Sequence, residues 1–559
     1  MVPPMRCDPH TRLRRLGSAL WLLIACLGTA CGDNTPPVGT EEATEPLSYP
    51  WPVRRPPIPP RWVFEPWIWE DDENTETATR ALVEGYLARE IPVGAVIIDS
   101  PWQATGDSGY HSLRFDPALY PTPNEMIEDF HEQGVRSVLW ITGNLTPESP
   151  LWAEACAGGF FVRRNDGAES CPTTSFWKAG GRAAHLDFFS EPALRWWSAQ
   201  LDRALATGAD GWKVDGTDFQ LRELGNPVRT AAGPKTPQEY SAAMYGFFHR
   251  YTRERLGTDR GAILARPFAD DGKPAFYAPL ESNPAGWVGD QEHDWQGLRE
   301  ALREVLVSGR AGYPVVGSDI GGLKGDPLTG ELLLRWAQFG ALLPLMENGG
   351  RDEHRPWQFG AEVLDVYREF ARLHHALVPY FYHHAIEAHR SGTAVVRPLA
   401  GPTLPEDPEA PGDWRYELGD AFLVDPVREP TERRTVRLPA GPWLEWFDLS
   451  RVHSGNQSIE LDVPLDRYPL FVRAGAIVPW NADDGRTTLL VFPLGSVDRL
   501  IHLEPELSVA VTVEEHAAGV RVRLGPSQRA WTLRVHRGDG RFEEIRLDTD
   551  GAAATAELP

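Results

Sequence analysis

Gly208-Ala209-Asp210-Gly211-Trp212-Lys213-Val214-Asp215-Gly216-Thr217-Asp218-Phe219 is the segment from which the organisation of the chain can be read. Before it, residues 192–207 carry Leu194, Trp197, Leu201, Ala204 and Leu205 three to four apart, the apolar stripe of a helix. Gly208 ends that helix, because a left-handed C-terminal cap favours glycine. Residues 211–214 then read as a short strand, with Asp215 where the strand runs out. In a parallel α/β barrel, a carboxylate at the C-terminal end of a strand faces the active-site mouth. For a single Asp, capping the next helix is the plainer reading.

The same rhythm extends both ways. Residues 93–98 form a continuous apolar run ending in Asp99, as expected for a strand buried on both faces. Residues 124–133 suit a helix closed by Gly134, and residues 135–141 the next strand; Leu186-Asp187-Phe188 follows. After Asp215 come the runs ending in Arg266, Asp290 and Asp319, with a helix over 298–308 between the last two. Alternating strands and helices over residues 61–392 imply a (β/α)₈ TIM barrel. Near Pro398 short alternating strands separated by Pro and Gly take over, predicting a proximal β-sandwich over 393–482 and a distal β domain over 483–559.

A chain of 559 residues is too long for one core. Its 79 acidic against 55 basic side chains, a formal charge of −24, argue against nucleic acid or an anionic membrane as partner. The 21 Trp side chains suit either sugar stacking or large cores. Residues 1–31 read as a targeting segment. Arg12, Arg14 and Arg15 precede an apolar run over 16–27 that is too short to span a bilayer. Leu27-Gly28-Thr29-Ala30-Cys31 and Leu23-Ile24-Ala25-Cys26 look like bacterial lipoprotein boxes, and a Pro-rich linker over 32–60 follows. Export is expected, with Cys31 (or Cys26) lipidated on a periplasmic or cell-surface membrane, or with plain secretion. In such a compartment the remaining Cys156 and Cys171 suggest a disulfide around a hairpin with an Asp166-Gly167 turn.

Asp99, Asp215, Asp290 and Asp319 all fall at strand ends. Metal ligation usually brings a His or a tight Asp-x-Asp, and neither occurs there, so no metal or cofactor is implied. Glycoside hydrolysis needs two carboxyl groups, one of them protonated, beside an aromatic platform. Trp102, Trp140, Trp212 and Trp287 lie next to these strand ends.

The ordered set resembles glycoside hydrolase family 31, retaining α-glycosidases on a (β/α)₈ barrel. The matching stretches are Ile97-Ile98-Asp99-Ser100-Pro101-Trp102, Asp210-Gly211-Trp212-Lys213-Val214-Asp215, Trp287-Val288-Gly289-Asp290, Gly317-Ser318-Asp319-Ile320-Gly321-Gly322 and His354-Arg355-Pro356-Trp357. Leu418-Gly419-Asp420-Ala421-Phe422 and Pro469-Leu470-Phe471-Val472-Arg473 resemble the family's first C-terminal sandwich. By that resemblance Asp215 is the nucleophile and Asp290 the acid/base. Asp99, Arg266, Asp319 and His354 line the sugar subsite, with Trp102, Trp140, Lys213, Asp218 and Trp287 beside them. Arg266 is expected to hold Asp215 ionised by lowering its pKa. Strand alternation puts Lys213 on the inward face of Asp215, towards substrate or Asp218, and Trp212 on the outward one.

The chain departs from the family pattern in three places. Family α-glucosidases carry Trp-x-Asp-Met-Asn-Glu where this chain has Lys213-Val214-Asp215-Gly216-Thr217-Asp218, a Lys found in branches acting on xylosides and other sugars. The Arg-x-His after the barrel helix reads Met346-Glu347-Asn348-Gly349-Gly350-Arg351-Asp352-Glu353-His354. Family members usually have a β-sandwich before the barrel, and here only the linker precedes Trp62; that wall of the site is open, replaced by a barrel loop or supplied by a partner. The expectation is an exported α-glycosidase acting on a carbohydrate substrate; the alternatives are a transglycosylase and a non-catalytic surface glycan-binding protein.

Overall fold

The structure is a computed structural model that describes residues 49–558 apart from 105–109, 168, 178–180, 217, 270–273 and 483–485. The targeting segment, with Cys26 and Cys31, lies outside the described residues. Among those described, eight parallel strands close a barrel in sequence order. They are β1 (Trp67–Glu70), β2 (Ala95–Ile98), β3 (Arg136–Ile141), β4 (Gly211–Val214), β5 (Ala262–Ala265), β6 (Ala285–Val288), β7 (Val316–Ile320) and β8 (Glu347–Asn348). Closure is made by Trp67 of β1 opposite Glu347 of β8. Every residue of β2, β4, β5 and β6 is buried, which is why these strands read as unbroken apolar runs.

The outer layer holds α1 (Glu76–Leu87), α2 (Pro123–Glu132), α3 (Glu191–Leu205), α4 (Pro237–Leu256), α5 (Trp295–Ala311), α6 (Gly330–Ala341) and α7 (Ala361–Ser391). In α3 the oxygen of Ser190 caps the Ala193 amide, and Trp197, Leu201 and Ala204 face the core. The chain then turns through Gly208, at φ 104°, into β4. At the foot of β4, Asp210 is fully buried and accepts bonds from the Ser137 amide, His131 and Arg260, which fixes where the strand begins. The β5–β6 connection departs from the helical rhythm. It carries a hairpin, Phe268–Ala269 with Ala275–Phe276, and a 3₁₀ turn at Leu280–Ser282, because Pro267, Pro274, Pro279 and Pro284 interrupt any helix. Leu186-Asp187-Phe188 is likewise no barrel strand; the strand before it, Arg182–His185, pairs with Asn144–Leu145 and Thr174–Ser175 in a small sheet above β3.

Cys156 and Cys171 are disulfide-bonded, with Cα atoms 5.8 Å apart. The expected hairpin between them is absent among the described residues. Cys156 sits in a helix, Trp152–Gly158, and beyond it Phe161 and Arg163 bridge outward to Leu186 and Arg229.

After the barrel, a six-stranded antiparallel sheet contains the hairpin Arg433–Glu445 with Asp448–Asp462. A register break between Ala440 and Trp443 bends it, so that Val436, Leu438 and Ile459 pack back on Leu423 and Phe471. Two four-stranded sheets then enclose a second core around Leu489, Val511, Val522 and Trp531. Strand Ile477–Asn481, placed by the sequence in the proximal domain, pairs with Thr487–Val491 and opens the distal one.

The 31-residue α7 ties these parts together. His374 bonds the carbonyls of Ala341 and Phe64, Tyr380 bonds Leu418 and Ala421 of the proximal sheet, and His383 accepts the His502 amide of the distal sandwich. Apolar side chains of barrel and proximal sheet form one continuous core.

Candidate active site

Asp99, Asp215 and Arg266 each occupy the first position after a barrel strand, and Asp290 the second, all at the C-terminal mouth. They line a cleft of about 530 Å³ together with Trp69, Trp140, Trp177, Lys213, Tyr277 and Trp287. The two candidate catalytic acids meet on one guanidinium. Nε of Arg266 donates to Asp215 Oδ1 at 3.0 Å and Nη2 to Asp290 Oδ2 at 2.6 Å. These two nitrogens share an edge of the planar fork, so the two carboxylates stand side by side along it. The Asp215 side chain is 15% exposed and that of Asp290 42%.

Asp290 holds φ at 74°, a region that non-glycine residues rarely occupy. Its amide donates to Asp319 Oδ2 at 3.2 Å. That approach requires Gly289, where an added Cβ would stand 2.2 Å from the same oxygen.

Lys213 and Asp215 point inward and Trp212 outward, as strand alternation requires; Trp212 is fully buried against Phe248 of α4. The Lys213 ammonium lies 3.3 Å from Glu347, 3.8 Å from Asp319 and 4.0 Å from Asp99, and 3.7 Å above the Trp69 ring. Burial works against its charge, but Glu347, Asp319, Asp99 and Asp215 outweigh it and keep its pKa above the ordinary lysine value. Burial lifts both Asp319 and Glu347 above the usual carboxylate range, with Lys213 opposing.

The expected electrostatics of Asp215 need correction. Burial is the largest influence and raises its pKa; Arg266 counters it, Asp290 adds to it, and Lys213 counters it more weakly. Enclosure in the cleft strips water from the carboxylate to a greater extent than one guanidinium compensates.

Three other residues sit differently from expectation. Trp102 is fully buried, donates to the Trp140 carbonyl and packs on Phe115, so it supports the cleft wall rather than lining it. His354 donates to the Gly322 carbonyl at 3.0 Å and is pushed down to about 4 by burial, so it holds the Gly321-Gly322 turn as a neutral ring behind the cleft. Asp319 stands behind Asp290, between Lys213 and the Asp290 amide. The Asp218 side chain lies outside the described part of the structure. Trp69, Trp177, Tyr277 and Glu347 went unread in the sequence; a partner for buried Lys213 was the signal for Glu347. Among the described residues no group of three or more His, Cys, Asp or Glu is arranged to hold a metal ion.

Known proteins resemble this chain in sequence and fold. Residues 56–384 match the glycosyl hydrolases family 31 TIM-barrel domain, and residues 392–478 the family's C-terminal domain. An α-xylosidase of Emericella nidulans is 28% identical over 470 residues, covering 80% of this chain and 58% of that protein. An α-glucosidase of Bacillus thermoamyloliquefaciens is 26% identical over 451 residues, covering 76% and 54%. The chain thus spans a little over half the length of these two relatives. In fold, a Flavobacterium johnsoniae dextranase bound to glucose superposes with a TM-score of 0.79 at 21% identity, over 90% of this chain and 71% of that one. The α-xylosidase of Xanthomonas citri gives 0.74 at 23%, over 90% and 60%. The barrel, the sheets that follow it and the match across both domains have one reading: the chain belongs to glycosyl hydrolase family 31.

Proposed function

We propose that this protein is an exported retaining α-glycosidase that removes terminal α-linked sugars from oligosaccharides or glycosides by double displacement. The observation that carries the reading is Arg266, one guanidinium contacting both Asp215 and Asp290 in a cleft closed at its deep end. Asp215 attacks the anomeric carbon while Asp290 gives its proton to the leaving oxygen. Water then attacks the glycosyl–Asp215 ester, passing a proton back to Asp290, and Asp215 leaves as carboxylate.

Asp99, Lys213, Trp69 and Trp287 close the floor, which suits one terminal sugar ring. Lys213 and Asp99 are the polar groups that would meet its hydroxyls. Relatives named α-xylosidase and α-glucosidase support a neutral pyranoside. The leader over residues 1–31 supports export with a lipid tether at Cys31 or Cys26, and the Cys156–Cys171 disulfide agrees with an oxidising compartment.

The test is a panel of aryl α-glycosides (gluco, galacto, xylo, N-acetylgalactosamino, sulfoquinovo) with wild type and Asp215→Ala, following the first-formed anomer by proton NMR. Retention predicts the α-anomer and loss of turnover in the variant. A β-anomer as first product refutes double displacement, and an inert wild type leaves a glycan-binding protein. Disaccharide products from added sugar acceptors identify a transglycosylase.

A further inference from the structure

We infer that the groove between α7, the N-terminal end of β2 and the proximal sheet is a second carbohydrate-binding site, which holds a neutral glycan chain away from the catalytic cleft. It goes beyond the catalytic reading above and uses neither Asp215 nor Asp290.

The groove has a volume of about 1080 Å³, against about 530 Å³ for the active cleft. Residues 90–92, which lead from α1 into the N-terminal end of β2, form one wall, and α7 forms another. The Trp446-Phe447 turn of the proximal hairpin and Trp480 of strand Ile477–Asn481 complete it. The active cleft opens at the C-terminal ends of the strands, and the two share no lining residue among those described. Ligand clefts measure roughly 300–1,000 Å³, so there is room for several sugar rings.

Three half-buried rings, Trp446, Phe447 and Trp480, rest on the core without being covered by it. Trp446 meets Phe422 edge-on at 5.3 Å and leans on Trp480 at 5.8 Å, and Phe447 leans on Phe370 of α7 at 5.7 Å. Their backbones are fixed as well: the Trp446 amide donates to the Leu470 carbonyl, and Trp480 pairs with Thr488 across the strand. The rings are therefore in place before a ligand arrives. Neither the Trp446 nor the Trp480 indole N–H has an acceptor among the described residues. A ligand that offers hydroxyls beside a flat C–H surface satisfies the ring edge and the ring face together.

The charges around the groove select a neutral ligand. Of the titratable side chains that line it, all but Asp466 are paired. Arg372 holds Glu90 and Glu369, Arg368 holds Asp365, His375 meets Glu65, and Arg534 meets Glu544. An anionic ligand finds no free cation there, and a cationic one finds a single free carboxylate. Paired carboxylates still have lone pairs for hydroxyl hydrogens, and Asn481 adds an amide. An acyl chain would leave all of these unused. The ligand class that fits rings and rim together is an uncharged oligo- or polysaccharide.

The experiment is affinity electrophoresis of the full-length protein in native gels containing dextran, soluble starch or xyloglucan, with kcat/KM measured on the aryl glycoside that the panel selects. At least one polysaccharide should retard the wild type. Trp446→Ala and Trp480→Ala should each weaken that retardation about tenfold in apparent Kd and leave kcat/KM on the aryl glycoside within about twofold. Trp480→Phe should keep most of the retardation, and matched circular dichroism melts check that the variants fold. Retardation unchanged in both Ala variants would place all polysaccharide binding in the catalytic cleft and overturn the inference. So would a wild type that no polysaccharide retards, including one that polylysine alone retards, which would give the groove to a cationic polypeptide. A wild type that hydrolyses no aryl glycoside, yet loses its retardation with Trp480→Ala, sinks the glycosidase reading and leaves this site standing.

Discussion

Replacing Lys213 by Met tests whether the barrel centre depends on one buried cation. The ammonium is 4% exposed and faces Glu347, Asp319 and Asp99 within 4.0 Å, none of these side chains more than 7% exposed. Removing one partner of a buried ion pair costs about 3–5 kcal/mol, because the charge left behind has no water to turn to. For a barrel this size that lowers the thermal midpoint by roughly 4–7 °C. Glu347→Gln alone should cost less, since Lys213 keeps two carboxylates. Together the two changes should cost less than their sum, with a coupling of roughly 1–3 kcal/mol. Acid should rescue Lys213→Met. Asp319 and Glu347 are already raised above unfolded values, and losing Lys213 raises them further. The folded state then binds protons that the unfolded chain does not, so stability grows as pH falls through those raised values. Midpoints come from circular dichroism at pH 7 and pH 5. A single variant within about 1 kcal/mol of wild type, or strict additivity at both pH values, would refute an electrostatic core around Lys213.

Further outcomes follow from the catalytic pair. Asp290→Ala should slow unactivated glycosides at least about a hundredfold, and aryl glycosides with acidic leaving groups far less; equal slowing would mean that Asp290 is not the acid. In the proposed double displacement Asp215 must be ionised to attack, and burial raises it above the ordinary carboxylate value, so the acid limb of kcat/KM should fall at a higher pH than an ordinary carboxylate gives. A limb at or below about pH 4 contradicts that environment. Gly289→Ala should push Asp319 off the Asp290 amide and cut kcat/KM by about a hundredfold with little change in fold. A fully active Gly289→Ala would show that this contact does not position Asp290.

What the sequence disclosed follows from how each residue is constrained. Asp99, Asp215 and Arg266 stand at the ends of buried strands, where an apolar run broken by one polar residue is visible without any structure. The facing of Lys213 and Trp212 followed from strand alternation. Trp102 and His354 lie beyond strand ends, where alternation no longer dictates direction, and both turn into the protein. Glu347 begins a strand of only two residues, too short to show a period, and its partner is far away in sequence. Trp177 projects from a connection whose path depends on a disulfide and on Glu223, neither of which gives a local pattern. The pairing of Ile477–Asn481 with the distal sheet was hidden for the same reason: any apolar strand can join either neighbour.

The long α7 bears on how far the catalytic part can be separated from the rest. Matching domains at residues 56–384 and 392–478 suggests a cut near Gly392. Such a cut would strip Tyr380 of its partners Leu418 and Ala421, and Tyr416 of the Leu342 carbonyl. It would also bare the barrel side of a core shared with Phe422, Val424, Leu470 and Val472. Arg335 of α6, buried and bonded to the carbonyls of Val463 and Arg467, would keep only the Gln338 side chain. The barrel is therefore no self-sufficient cassette. Shuffling it onto another partner succeeds only if the newcomer brings a matching apolar face and carbonyls for Arg335, which makes the barrel and proximal sheet one unit of inheritance.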